Sequence, residues 1–132
     1  MLEGGCHCRA VRYRIEGEPV RAGLCHCVDC RRHSGAPMVA WAIFAKEQVQ
    51  ATGELRTYAS SDQGRRQFCP SCGTGLFYLN DEIFAGMIDV QIATLDDPDA
   101  VQPAEQIQLA ERIGWMKNAH ALPAFERFPP LN

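Results

Sequence analysis

Hydrophobic and polar residues alternate over short stretches of this chain, and glycines and prolines separate the stretches. The alternation is clearest at residues 11–15, where Val11, Tyr13 and Ile15 would share one buried face of a strand. Stretches rich in β-branched and aromatic residues predict further strands at residues 39–44, 55–58, 76–79, 83–85 and 107–109. The chain is therefore predicted to be mainly β.

Helical patterns are weaker, and no long amphipathic helix is predicted. Residues 96–100 predict a turn or one helical turn, because Pro98 is tolerated at a first helical position and acidic residues favour that end of a helix. Residues 121–132 hold three of the eight prolines and predict an extended closing segment. With 132 residues, 46% of them hydrophobic, we expect one domain over residues 1–132 with its own core.

Charge and hydropathy exclude several classes of function. The formal net charge of −3 argues against a broad nucleic-acid-binding surface, which usually needs a clustered basic excess. No stretch reaches the roughly 18 consecutive apolar residues of a membrane-spanning helix, and the first residues do not resemble an export signal. We therefore expect a cytoplasmic protein, whose cysteines bind metal or do chemistry rather than form disulfides. Their odd number, seven, fits that expectation.

Four of the cysteines form two close pairs that predict a closed zinc site. Cys69 and Cys72 are separated by two residues, a spacing with which a tight turn presents two thiolates to one ion. Cys6 and Cys8 lie two residues apart, so in an extended segment both sulfurs point to the same side. A tetrahedral zinc ion needs four ligands, which two such pairs supply. The site would join segments about 60 residues apart, and so offset the conformational entropy that the chain loses when it closes this loop.

The other three cysteines predict an open zinc site. Cys25, Cys27 and Cys30 combine both spacings, so that three thiolates can converge while His26 faces away. Three protein ligands leave the fourth position of the ion free, as in catalytic zinc sites. His33 provides an alternative, because it follows Cys30 by three residues and would close the site if the segment were helical.

An open site with three thiolates favours thiol chemistry over water activation. Zinc with three thiolates carries a net charge of −1 and is a weak Lewis acid, but a substrate thiol at the fourth position would lose its proton and remain nucleophilic. Arg31, Arg32 and Ser34 follow the cluster and are candidates for binding the carboxylates of a thiol such as glutathione. Arg65 and Arg66 are interpreted as surface residues, of which at most one could face the site.

Three segments resemble the glutathione-dependent formaldehyde-activating enzyme family, whose relatives include centromere protein V. They are residues 4–8 (GGCHC), 25–35 (CHCVDCRRHSG) and 68–74 (FCPSCGT), and residues 114–117 and 122–125 resemble its closing segment more loosely. Arg9 departs from the family, which often has glycine after the second cysteine.

The resemblance implies a β-tent fold with two zinc ions per chain. Structural zinc is assigned to Cys6, Cys8, Cys69 and Cys72, and catalytic zinc to Cys25, Cys27 and Cys30. The activity implied is that of a carbon–sulfur lyase, which joins formaldehyde and glutathione as S-hydroxymethylglutathione. The alternative is a non-catalytic, zinc-stabilised binding module whose second site His33 closes.

Overall fold

The computed structural model describes residues 1–131 and contains two β-sheets. Asn132, the last residue of the predicted domain, lies outside the described residues. The smaller sheet is antiparallel, with the strand order β1 (Leu2–Gly5), β2 (Arg12–Ile15) and β5 (Val49–Thr52). The larger sheet has seven strands, in the order β10 (Glu105–Ile107), β3 (Arg21–Cys25), β4 (Val39–Ala45), β9 (Met87–Gln91), β8 (Gly75–Asn80), β7 (Gly64–Phe68) and β6 (Arg56–Ala59). Within residues 1–131, its only parallel pairing is that of β10 with β3.

Short helical segments connect the strands. The α-helix α1 covers Val28–Ser34, and Gly35 ends it in the left-handed conformation, with its amide bonded to the Arg31 carbonyl. Turns of 3-10 helix cover Lys46–Gln48, Ile92–Thr94, Pro98–Ala100, Leu109–Glu111 and Gly114–Ala121. Within residues 1–131, no helix is long and apolar enough to cross a membrane.

The hydrophobic core takes residues from both sheets. Tyr13 of the smaller sheet meets Phe77 of the larger one edge to face, with ring centroids 5.4 Å apart. On β4, Ala42 and Phe44 belong to this core, whereas Trp41 belongs to a second cluster that includes Cys25 and Cys30. Because side chains alternate along a strand, one face of the larger sheet supports the core and the other carries the cysteine cluster.

The predicted mainly β fold with a few short helices is confirmed. The strands expected near residues 11–15, 39–44, 55–58 and 76–79 are present, as is a helical turn at Pro98–Ala100. Five strands were not predicted, namely Leu2–Gly5, Arg21–Cys25, Val49–Thr52, Gly64–Phe68 and Met87–Gln91.

Two strand predictions need correction. Residues 83–85 form a turn, because Asn80 Oδ1 accepts hydrogen bonds from the amides of Glu82 and Ile83 and bends the chain there. The strand expected at residues 107–109 ends at Ile107, since Gln108 has a φ of 59° and Leu109 begins a 3-10 turn.

Candidate metal centres and the adjoining pocket

The four cysteines at 6, 8, 69 and 72 come together where the β1–β2 and β7–β8 loops meet. Their sulfurs all lie within 4.8 Å of one another, with Cys8 Sγ 3.7 Å from Cys6 Sγ and 3.8 Å from Cys69 Sγ. Zinc–sulfur bonds of about 2.3 Å at tetrahedral angles place sulfurs roughly 3.8 Å apart. The spacing and the all-sulfur donor set therefore fit a tetrahedral zinc ion.

The backbone around this cluster directs hydrogen-bond donors at the sulfurs. The Val11 amide donates to Cys6 Sγ at 3.2 Å, and Cys72 Sγ lies 3.2 Å from the Thr74 hydroxyl. Hydrogen bonds from the hydroxyl and amide of Thr74 lower the pKa of Cys72 to about 5, which favours the thiolate that a metal requires. Arg9, the departure from the family pattern, has a φ of 69°, the left-handed conformation that glycine adopts without steric penalty.

The second cluster consists of Cys25, at the end of β3, with Cys27 and Cys30 around the start of α1. The three sulfurs lie within 4.8 Å of one another, and those of Cys25 and Cys30 are 3.6 Å apart. Cys27 is the N-cap of α1 and its sulfur accepts a hydrogen bond from the Cys30 amide. Hydrogen bonds from the thiols of Cys25 and Cys30 lower the pKa of Cys27. This cluster, too, fits a thiolate-bound zinc ion, with three protein ligands instead of four.

The two histidines near this cluster are not among the ligand atoms that converge there within residues 1–131. His26 is buried, and its Nε2 lies 2.8 Å from Oε1 of Gln106 on β10. His33 packs against Phe68, with ring centroids 5.9 Å apart, and faces Gly75. The geometry thus keeps His33 out of the cluster, and burial lowers its pKa. The arrangement of the described residues does not support a second site closed by His33.

Arg66 is the residue outside the cluster that contacts it most directly. It is only 3% exposed, so the surface interpretation is wrong for Arg66. Both Nη atoms lie 3.6–3.7 Å from Cys30 Sγ, and the guanidinium stacks on the Tyr78 ring at 4.6 Å. Nε donates to Ser60 Oγ at 3.1 Å. One positive charge is therefore fixed beside the Cys30 sulfur.

A pocket of about 200 Å³ opens beside the three sulfurs. One wall is formed by a row of five side chains, one from each of five neighbouring strands. Each of these residues is paired in the strand register with the residue on the next strand. The row runs through Arg21, Ile43, Asp89, Tyr78 and Arg66. Trp41, Phe84 and Ile107 complete much of the lining, which is mostly apolar.

Asp89 is the buried acid of this pocket. It is 9% exposed, and its Oδ1 has no hydrogen-bond partner among the described residues. Burial raises the pKa of Asp89 to about 7, although the charge of Arg66 acts in the opposite direction. A carboxyl group with this pKa can accept and release a proton near neutral pH.

The residues that the sequence suggested for carboxylate binding lie elsewhere. Arg31, Arg32 and Ser34 are on α1 and do not line the pocket. Arg32 is exposed, and Ser34 Oγ accepts a hydrogen bond from Gln91 Nε2 at 3.3 Å. Trp115 and His120, to which sequence patterns assign no role, are exposed in the C-terminal 3-10 segment.

Sequence reasoning missed Arg66, Asp89, Tyr78 and Trp41 as residues of the site. Asp89 carried one signal, because it is a charged residue between the apolar Ile88 and Val90. The others fitted ordinary strand patterns, and only the register of the sheet shows which of their faces meets the cysteines.

Comparisons with known proteins agree with this geometry. The family described as glutathione-dependent formaldehyde-activating enzyme matches residues 1–111. A Schizosaccharomyces pombe protein named as an uncharacterized lyase is 29% identical over 121 residues, covering 81% of this chain and 88% of that protein. A Halomonas elongata protein, provisionally named as a glutathione-dependent formaldehyde-activating enzyme, is 27% identical over 118 residues, covering 83% of this chain and 74% of that protein.

A solved structure supports the fold. The crystal structure of a Rhodobacter sphaeroides protein superposes with a TM-score of 0.60 at 21% identity, and the match covers 79% of this chain and 98% of the other. At that identity the likeness concerns the fold alone. The match to the family model over residues 1–111 goes further, and on that basis the chain belongs to the glutathione-dependent formaldehyde-activating enzyme family.

Proposed function

We propose that this protein is a zinc-dependent carbon–sulfur lyase that joins a thiol, glutathione or a close analogue, to an aldehyde and catalyses the reverse reaction. S-hydroxymethylglutathione is the simplest such adduct. The observation that carries the proposal is the convergence of three sulfurs, without a fourth protein ligand among the described residues, at the wall of a pocket. Family membership and the names of the two relatives support the same class of reaction.

The two clusters have different roles in this proposal. Cys6, Cys8, Cys69 and Cys72 form the structural site, since four thiolates leave no position for a substrate. The cluster of Cys25, Cys27 and Cys30 forms the catalytic site. These three cysteines would hold a zinc ion, which would supply a position for the sulfur of a substrate thiol and favour the loss of its proton.

Arg66 adjusts the charge of the catalytic cluster. Its guanidinium donates to Cys30 Sγ, so it draws electron density from that ligand and offsets one negative charge of the three thiolates. The positive charge of Arg66 would thereby reduce the repulsion between the three thiolates and an anionic substrate sulfur. Arg66 is therefore a positioning residue that acts through Cys30.

Asp89 carries the proton in this reaction. When the carbon–sulfur bond forms, the π electrons of the carbonyl move to oxygen, which needs a proton, while the thiol has one to lose. Asp89 Oδ1 faces no other partner and can take the proton from the thiol and return it to the new hydroxyl. The pKa near 7 makes both transfers feasible at neutral pH.

Metal content and exchange kinetics test this function together. Protein purified without chelators should contain two zinc ions per chain, and Cys27→Ser should contain one. Nuclear magnetic resonance exchange spectroscopy measures how fast formaldehyde and S-hydroxymethylglutathione interconvert. The wild type should accelerate this exchange above the uncatalysed rate, and Cys27→Ser should not. A zinc-loaded wild type that accelerates the exchange with no small thiol would contradict the lyase and leave a zinc-stabilised binding module.

A further inference from the structure

The walls of the pocket are more apolar than an adduct of formaldehyde needs. Trp41 and Ile43 project from the same face of β4 into the pocket, and Phe84 lines it from the turn after β8. Formaldehyde offers two hydrogens as its only apolar surface, so it gains almost nothing from aromatic and branched walls. The lining therefore indicates a substrate with an apolar group of its own.

The mouth of the pocket exposes apolar side chains to solvent. Ile83 is 67% exposed and Ile107 is 45% exposed, and both line the pocket. Ile83 is held in place, because the Asn80 side chain accepts hydrogen bonds from the amides of Glu82 and Ile83 itself. Exposed apolar side chains at the rim of a pre-formed pocket are typical of a binding site for an apolar ligand.

The volume also exceeds what formaldehyde fills. One water molecule takes up about 10–15 Å³ of a cavity volume measured in this way. The two heavy atoms of formaldehyde therefore fill only a small part of the pocket volume of about 200 Å³. Even with the thiol sulfur and its neighbouring carbon added, most of the pocket is left for a further substituent.

The charged ends of glutathione do not match the interior. Arg66 is engaged by Cys30 and Ser60, and Arg21 at the rim is paired with Glu105. The remaining buried ionisable side chain of the pocket is Asp89, which offers no positive charge to a carboxylate. The carboxylates of the thiol are thus better placed outside the mouth, and the apolar walls are left to the other half of the adduct.

We propose that the electrophile of this protein is an aldehyde with an apolar substituent larger than formaldehyde, seated between Trp41, Ile43, Phe84 and Ile83. The inference rests on the lyase function proposed above. The thiol sulfur bonds to the carbonyl carbon, the π electrons pass to oxygen, and the proton lost by the thiol ends on the hydroxyl. The reverse reaction releases the same aldehyde and thiol, so no oxidant or reductant is needed.

Binding of stable adduct analogues tests the pocket independently of turnover. S-methylglutathione and S-hexylglutathione differ only in the apolar group and cannot release an aldehyde. Trp41 is buried in the pocket and Trp115 is 61% exposed, so Trp115→Phe leaves Trp41 as the fluorescent reporter. In zinc-loaded Trp115→Phe protein, S-hexylglutathione should bind at least about tenfold more tightly than S-methylglutathione. Equal affinities, or no binding of the hexyl compound, would overturn the inference.

A pair of matched variants locates the effect. Ile83→Asp places a charge at the mouth and should abolish the preference for the hexyl compound. Val20→Asp changes a residue of equal exposure, 68%, that does not line the pocket, and it should retain the preference. Both positions are on the surface, so neither variant disturbs the core. A preference that survives in Ile83→Asp would contradict the placement of the aldehyde.

Kinetics separates this inference from the lyase function. With glutathione as the thiol, kcat/KM for hexanal should exceed that for formaldehyde by at least about tenfold. If formaldehyde is used equally well or better, the inference fails and the lyase function stands. If neither aldehyde is used with any small thiol, the lyase function fails.

Discussion

At the scale of single residues, Asp89 links folding to pH. Its pKa is about 7 in the folded protein and near 3.8 in the unfolded chain, so between these values the folded state holds a proton that the unfolded state has released. The free energy of unfolding should therefore fall as the pH rises from about 4 to about 7, and change little beyond. The other charged or titratable groups that line the pocket around Asp89 are Arg66, Tyr78, the three-cysteine cluster and the rim pair Arg21 and Glu105.

The variant Asp89→Asn should remove this pH dependence. Because a tenfold change in proton affinity corresponds to about 1.4 kcal/mol, the stability of the variant relative to the wild type should rise by up to about 4 kcal/mol between pH 4 and pH 7. Denaturant unfolding of both zinc-loaded proteins across this range measures the difference, and contributions common to both cancel. A difference that does not vary with pH would show that Asp89 is ionised throughout. The variant should also lose lyase activity while keeping both zinc ions.

Arg66 offers a second test at this scale, directed at the metal. Arg66→Met keeps much of the length of the side chain but removes both hydrogen bonds to Cys30 Sγ. Removing a hydrogen bond to a metal ligand usually lowers metal affinity by about 10- to 100-fold. Zinc at the three-cysteine site should therefore pass to a competing chelator at a correspondingly lower chelator concentration. Arg32→Met, at an exposed position on α1, is the control and should leave zinc affinity unchanged. Equal affinities in both variants would mean that Arg66 acts only in packing.

At the scale of elements, the sequence predicted strands where alternation or aromatic residues were strong, and four of the five strands that it missed contain glycine or a charged residue. β3 contains Gly23, which adjoins β10, and β9 contains Asp89, whose charge broke the apolar pattern. The division of the seven cysteines into a group of four and a group of three could be predicted, because it depends on the spacing of cysteines that are close together in the chain. The pocket was not predictable, because it depends on the register of five strands that are far apart in the chain.

The connection from β5 to β6 joins the two sheets and depends on Gly53. This residue has a φ of 94°, and a Cβ added to it would lie 2.1 Å from the Ala10 carbonyl oxygen. Gly86 also has a positive φ, 77°, but an added Cβ would meet nothing within 4 Å. Gly86→Ala should therefore lower the free energy of unfolding by about 1–2 kcal/mol, the cost of the left-handed conformation alone.

Gly53→Ala should be much more damaging than Gly86→Ala, because the backbone of the β1–β2 loop must also move. Thermal unfolding of the two variants side by side gives the comparison. Similar losses in both would show that the Ala10 segment yields easily, and that the connection between the sheets is softer than the contact suggests.

At the scale of the whole molecule, the four-cysteine cluster connects loops of the two sheets that are distant in sequence. Cys8 and Cys69 are 61 residues apart, whereas Cys25 and Cys30 are separated by five. On the chain-entropy scale, a cross-link over the longer span destabilises the unfolded chain by about 4 kcal/mol, against about 2 kcal/mol for the shorter one. Loss of metal from the four-cysteine site should therefore affect stability more than loss from the three-cysteine site.

Cys69→Ser and Cys27→Ser test this difference directly. Each variant should lose one zinc ion. Cys69→Ser should unfold at a clearly lower temperature than Cys27→Ser, and its free energy of unfolding should be at least about 4 kcal/mol below that of the wild type. Cys27→Ser should stay folded and lose activity. If Cys27→Ser is the less stable of the two, the length of the bridged loop does not determine how much each cluster stabilises the fold.

The parallel pairing of β10 with β3 also sets an order of events during synthesis. His26 and Gln106, which bond across this pairing, are 80 residues apart, so the ribosome makes the cysteine cluster about 4–16 s before the strand that completes the pocket, at about 5–20 residues per second. Until then, the pocket beside the three thiols lacks the wall that Glu105 and Ile107 of β10 supply. If zinc binds to the cluster before β10 is made, it reaches the thiols through an opening that β10 later narrows.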